Sequence, residues 1–107
     1  MNTIEIAITQ GNIDNYHLSV RGYKQFFPHE VFGGSNKRQE GATISLHVLG
    51  IPEVIKTDIA GDKGILRGRA WCKKFYSIHS LQEGDIVVID KHDDFNYSVY
   101  PKDKSKQ

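Results

Sequence analysis

Cysteine, proline and long apolar runs are all scarce in these 107 residues, which hold one cysteine and three prolines. A lone Cys72 permits neither an intrachain disulfide nor a multi-thiolate zinc site, and it points to a cytoplasmic setting. The first ten residues alternate polar and apolar side chains and show no basic stretch leading into an apolar run, so no secretory leader is expected. No segment reaches the length of a transmembrane helix. Asn96-Tyr97-Ser98 fits the glycosylation acceptor pattern, but a three-residue match is too loose to carry weight. Excess charge is missing too. A formal net charge of +1 argues against a chain that coats nucleic acid through a uniformly basic surface.

The parts of an enzyme are also absent. His17, His29, His47, His79 and His92 include no pair at zinc-site spacing, and no second cysteine could complete a mixed site. No G-x-S-x-G elbow, Walker loop or G-x-G-x-x-G occurs, and no acid has a lysine two positions later, as metal-dependent nucleases commonly do. Cys72, set between Trp71 and Lys73, reads as a packing residue. No catalytic residue, metal or cofactor is expected.

What is present suits one globular domain: 38% hydrophobic and 25% charged residues in a chain too short for two cores. Ile4, Ile6 and Ile8 alternate with polar or small residues, the period of a strand with one buried face. Further strands are read at residues 17–20, 44–48, 53–58, 65–70, 86–89 and 97–100, separated by glycine-rich and polar turns. Residues 22–27 read as a short helical or 3₁₀ segment stopped by Pro28. Residues 71–78 read as a helix of about two turns with Trp71, Phe75 and Ile78 on one side. The fold class is mainly β, a barrel-like sheet with one or two short helices, filling residues 1–101. Residues 102–107 are left as a tail or the start of a linker.

Charge is unevenly distributed. Residues 61–80 hold Lys63, Arg67, Arg69, Lys73 and Lys74 against one acid, Asp62, whereas from residue 81 onward six acids face four lysines. In a strand over residues 65–70, Arg67 and Arg69 would share a face and could bind phosphate or guanine edges. Solvated strand charges paired with nearby acids would look the same. Residues 10–17 are polar and turn-rich, and Gln10, Asn12, Asn15, Tyr16 and His17 can exchange hydrogen bonds with base edges and phosphates. Turn composition alone also accounts for the asparagines. Trp71 and Phe75 fit the core better than a base-stacking surface.

Read in order, His17-Leu18-Ser19-Val20-Arg21, Phe26-Phe27-Pro28, Gly33-Gly34-Ser35-Asn36 and the run from Thr57 to Lys63 form a pattern. It continues through Arg67-Gly68-Arg69-Ala70-Trp71, Lys73-Lys74-Phe75 and Leu81-x-x-Gly84-Asp85-Ile86-Val87-Val88. This pattern resembles the DNA-binding pseudobarrel of plant B-three transcription factors and of the recognition domains of bacterial restriction endonucleases, over almost the whole chain. The resemblance implies a seven-stranded open pseudobarrel with two short helices that grips the major groove of duplex DNA between two arms. Carried onto this chain, the N-terminal arm is residues 10–17 and the C-terminal arm residues 60–69. Asn12, Asn15, His17, Asp62 and Lys63 are the expected base readers. Lys37, Arg67, Arg69 and Lys73 are expected nearer phosphate, with Gln10, Tyr16 and Asn36 completing the contact set. The implied role is target recognition in a restriction-modification system, with cleavage left to another domain or subunit. The rival readings are a small barrel that binds protein or dimerises, and a stand-alone nuclease.

Overall fold

The computed structural model describes residues 2–34 and 41–102. Among them are eight strands in two sheets, where seven strands in one open barrel were expected. The larger sheet has the order β1-β7-β8-β3-β4. Strand β1 (Thr3–Ala7) buries Ile4 and Ile6 and pairs antiparallel with β7 (Ile86–Asp93), matching Ile4 to Ile89 and Ile6 to Val87. A hairpin carries β7 into β8 (Asn96–Pro101), which runs parallel to β3 (Ile44–Val48). Strand β4 (Ile55–Thr57) closes that side, antiparallel to β3. The smaller sheet has the order β2-β5-β6, from Phe32–Gly33, Ile59–Ala60 and Ile65–Leu66.

The extra strand count has a local cause. The smaller sheet adds β2 and β5 where no strand was expected, while the strand expected over residues 53–58 is β4, trimmed to Ile55–Thr57, because the chain leaves the larger sheet after Thr57 and enters the smaller one at Ile59, with the buried Asp58 at the corner. The strand expected over residues 65–70 ends at Leu66. Gly68 has φ 111°, a value that L side chains rarely adopt, and a Cβ there would lie 2.5 Å from Trp71 Cδ1. Helix α2 (Arg69–Ile78) starts directly after it, two residues earlier than periodicity suggested. Residues 17–20 form no strand, and only Ser19 makes a bridge, to Ile65.

Residues 10–15 were expected to be a turn-rich loop, yet Gln10–Asn15 forms a helix, α1. Its start is built from side chains. The Asn12 backbone N–H donates to Thr9 Oγ1, and the Thr9 N–H donates to Asn12 Oδ1, a reciprocal cap in which asparagine replaces the usual Glu or Gln. Gln10 Nε2 donates to Asp14 Oδ1, and Asn15 Nδ2 donates to the Gly11 carbonyl, both at helical spacing. Two 3₁₀ turns, Arg21–Phe26 and His29–Val31, follow on either side of Pro28.

A single core joins the sheets to α2, which buries Trp71, Cys72, Phe75 and Tyr76. Burial pushes the Cys72 thiol up to about 12, so it stays protonated and inert at neutral pH. Tyr97 is fully buried, its ring 5.1 Å from that of Phe27, and its hydroxyl donates to the Asp94 carbonyl. Among the described residues, no helix is long and apolar enough to cross a membrane.

Candidate nucleic-acid interface

Backbone pairing brings the two polar segments together. Val20 N–H donates to the Gly64 carbonyl at 2.7 Å and Leu66 N–H to the Leu18 carbonyl at 3.1 Å, so residues 18–20 run antiparallel along β6. Where they end, Arg21 Nη2 donates to the Lys63 carbonyl at 3.3 Å. The base of the first segment is therefore stitched to the hairpin that forms the second.

Helix α2 supplies a third wall. Arg69, Lys73 and Tyr76 fall at positions i, i+4 and i+7, a spacing that puts them on one helical face. The Tyr76 hydroxyl donates to the His17 carbonyl at 2.5 Å, and Lys73 Nζ lies 5.4 Å from the centroid of the Tyr16 ring. Tyr16 itself caps α1 in the left-handed region, φ 55° and ψ 47°, an uncommon conformation for a bulky residue. The resulting corner holds the half-buried His17 ring. Burial is the main cause that lowers its pKa below the ordinary 6.5, and the positive charges of Arg69 and Lys63 lower it further. At neutral pH the ring is uncharged, held beside cations drawn from two different elements.

Those cations have no ion-pair partner among the described residues. The ion pairs among described residues join Arg67 to Asp58, Lys74 to Glu53, Lys91 to Asp94 and Lys102 to Glu5. Arg21, Lys63, Arg69 and Lys73 are exposed and enter no ion pair with a described residue. Asp62, exposed at the hairpin tip, also forms none. The uneven charge seen along the chain thus becomes a cluster in space.

Arg67 does something else, which corrects the expectation that it shares a strand face with Arg69. It lies beyond β6, and its guanidinium grips the buried Asp58 carboxylate in two bonds, Nε to Oδ1 at 2.6 Å and Nη2 to Oδ2 at 3.1 Å. Nη2 also donates to the Gly34 carbonyl, and Asp58 Oδ2 accepts from Gly41 N–H. Its own carbonyl accepts from Thr57 Oγ1 and Trp71 Nε1. Arg69 is the first residue of α2 and not a strand residue.

Of the other anticipated contacts, Tyr16, His17, Lys63, Arg69 and Lys73 come together, and Asp62 sits at the rim. Gln10, Asn12 and Asn15 each spend one polar group holding α1 together. Asn36 and Lys37 lie outside the described residues. Two residues were not singled out from sequence as site residues: Arg21, which ties the hairpin tip down, and Asp58, which anchors its base. The hairpin register supplies the missing signal for Asp58, since pairing of Ile59 with Leu66 sets Asp58 opposite Arg67.

No three His, Cys, Asp or Glu side chains gather as metal ligands among the described residues. A cavity of about 620 Å³, lined by residues including His47, Pro52, Glu53, Ser98 and Tyr100, shares no residue with the basic corner.

No family model and no curated protein sequence matches this chain. Two solved structures share its fold. The N-terminal domain of Helicobacter pylori LlaJI.R1 superposes with a TM-score of 0.65 at 14% identity, covering 94% of this chain and 87% of that one. The Arabidopsis FUS3–DNA complex gives a TM-score of 0.57 at 16% identity, covering 92% of this chain and 93% of the other.

Proposed function

We propose that this chain binds double-stranded DNA in a sequence-specific way, inserting residues 10–17 and 60–69 as two arms into the major groove. The observation that carries the reading is the convergence of Lys63, Arg69 and Lys73 beside Tyr16 and His17, exposed and without ion-pair partners among the described residues. Exposed cations gathered in one corner attract phosphate and release its counterions on binding. The shared fold with the protein of the Arabidopsis FUS3–DNA complex supports duplex DNA as the ligand. A place as the recognition module of a restriction-modification system in the cytoplasm, with cleavage on another domain or subunit and no enzymatic activity here, rests on the family resemblance.

Fluorescence anisotropy with mixed-sequence duplex, titrated at several salt concentrations, tests the reading. Three phosphate contacts require log K to fall against log salt with a slope of about −2.7 or steeper. No binding at low salt, or a flat slope, rejects it.

His17 adds a pH signature. Phosphate brought against Lys63 and Arg69 cancels their share of the effect that keeps the ring uncharged, leaving the larger share due to burial, so the complex takes up part of a proton and affinity rises as pH falls below neutrality. The rise ends once pH passes the lowered pKa of the free protein. For the free protein the sign is opposite: the depressed His17 pKa gives a stability contribution present above about pH 6.5 and lost as pH falls through the folded value. His17→Gln removes the pH dependence of affinity, and an H17Q curve that still steepens toward acid would assign the proton elsewhere.

Protein binding has one observation in its favour. Leu49, Val54 and Ile78 are 43%, 45% and 45% exposed, and the first two line the 620 Å³ cavity. Under that reading duplex affinity would be absent at every salt concentration.

A further inference from the structure

We propose that Asp62 is a specificity residue that accepts a hydrogen bond from the exocyclic amine of a cytosine at one position of the target. The inference rests on the duplex-binding reading above. Its starting point is an oddity of the hairpin tip, where an exposed acid stands among exposed bases and pairs with none of the described ones. The tip is well braced. Gly64 N–H donates to the Ala60 carbonyl at 2.7 Å, Gly61 N–H to the Gly33 carbonyl at 2.9 Å, and Arg21 holds the Lys63 carbonyl. A Cβ on Gly61 would collide with the Gly33 carbonyl oxygen, so the turn sits tight against β2. Asp62 is thereby presented on a fixed scaffold.

A carboxylate in a phosphate-binding surface weakens attraction to every sequence alike, unless it meets a hydrogen-bond donor. The major groove offers two kinds, the N4 amine of cytosine and the N6 amine of adenine. Adenine places its N7 acceptor next to that amine, facing the second carboxylate oxygen, whereas cytosine carries no such acceptor there. Guanine presents only acceptors on its own edge, and thymine an acceptor and a methyl group, so neither offers a donor. The carboxylate therefore favours cytosine and repels the others, so discrimination comes as much from repulsion as from attraction.

Selection from a randomised duplex pool, run on the wild type, Asp62→Ala and Asp62→Asn, tests this. The wild-type motif is expected to contain a cytosine column that loses about tenfold discrimination in D62A while the remaining columns hold. In D62N the same column is expected to move toward adenine, because an amide can bond N6 and N7 together. A D62A motif identical to the wild type overturns the assignment. So does loss of every column at once in both variants, which would make Asp62 a support of the turn. Failure of the wild type to enrich any motif rejects the specific duplex-binding reading itself, and this inference falls with it.

Discussion

Arg67→Ala lowers the midpoint of thermal unfolding by roughly 12 °C or more, read by circular dichroism, because removing one partner of a buried ion pair costs about 3 kcal/mol or more. The Asp58 side chain has no solvent exposure and that of Arg67 only 19%. Without the guanidinium, the carboxylate keeps only the Gly41 N–H among its described partners, too little to offset desolvation of a charge. The bond from Arg67 to Gly34 disappears as well, so the two described ends that flank residues 35–40 lose their common anchor. Asp58→Ala is expected to cost a similar amount. The double variant should cost clearly less than the sum of the two, since each single change already leaves the other charge stranded. Arg67→Lys restores the charge without the planar fork and should recover part of the loss. An R67A midpoint within about 3 °C of the wild type would mean that the pair contributes no more than an exposed one.

The same pair marks the boundary of what sequence conveys. Strands with one buried face announce themselves, as Ile4 and Ile6 or Tyr97 and Val99 do, because alternation follows directly from the pleat. Helix α2 is equally plain from the spacing of Trp71, Phe75 and Ile78, even though Ile78 proves 45% exposed. Helix α1 is hidden because its residues favour turns by composition. Its stability comes from particular bonds between Thr9 and Asn12 and between Gln10 and Asp14, which a propensity scale does not contain. The strand assigned to residues 65–70 fails at Gly68, whose left-handed backbone turns the chain into a helix after two paired residues. Arg67 and Arg69 look alike in sequence, yet one is consumed by a buried acid nine positions earlier and the other is exposed. Charge clustering along the chain pointed to the basic corner that the fold assembles. Separating the paired Arg67 from the exposed Arg69 required the hairpin register.

Combined replacement of Lys63, Arg69 and Lys73 by alanine should weaken duplex binding by about 500-fold at roughly 0.1 M monovalent salt, since each phosphate contact contributes close to one power of salt concentration. The salt slope should become shallower by about 2.7, and the loss should shrink as salt rises. Bulk charge is the competing explanation, because the triple variant moves the net charge from +1 to −2. K56A/K74A/K102A makes the same change from positions outside the two arms, and Lys74 and Lys102 already pair with Glu53 and Glu5. Local geometry predicts a small effect for that control, whereas a bulk effect predicts equal losses in both. Equal losses would remove the basic corner from the interface. An internal check is available in His17. Without Lys63 and Arg69 its ring should titrate closer to 6.5 by NMR, but not fully there, because burial is the larger cause and the substitutions leave the Tyr76 bond to its carbonyl in place. A His17 titration unmoved in that variant would mean that the cations do not sit against the ring, and the corner would have to be redrawn before any role in binding could be assigned to it.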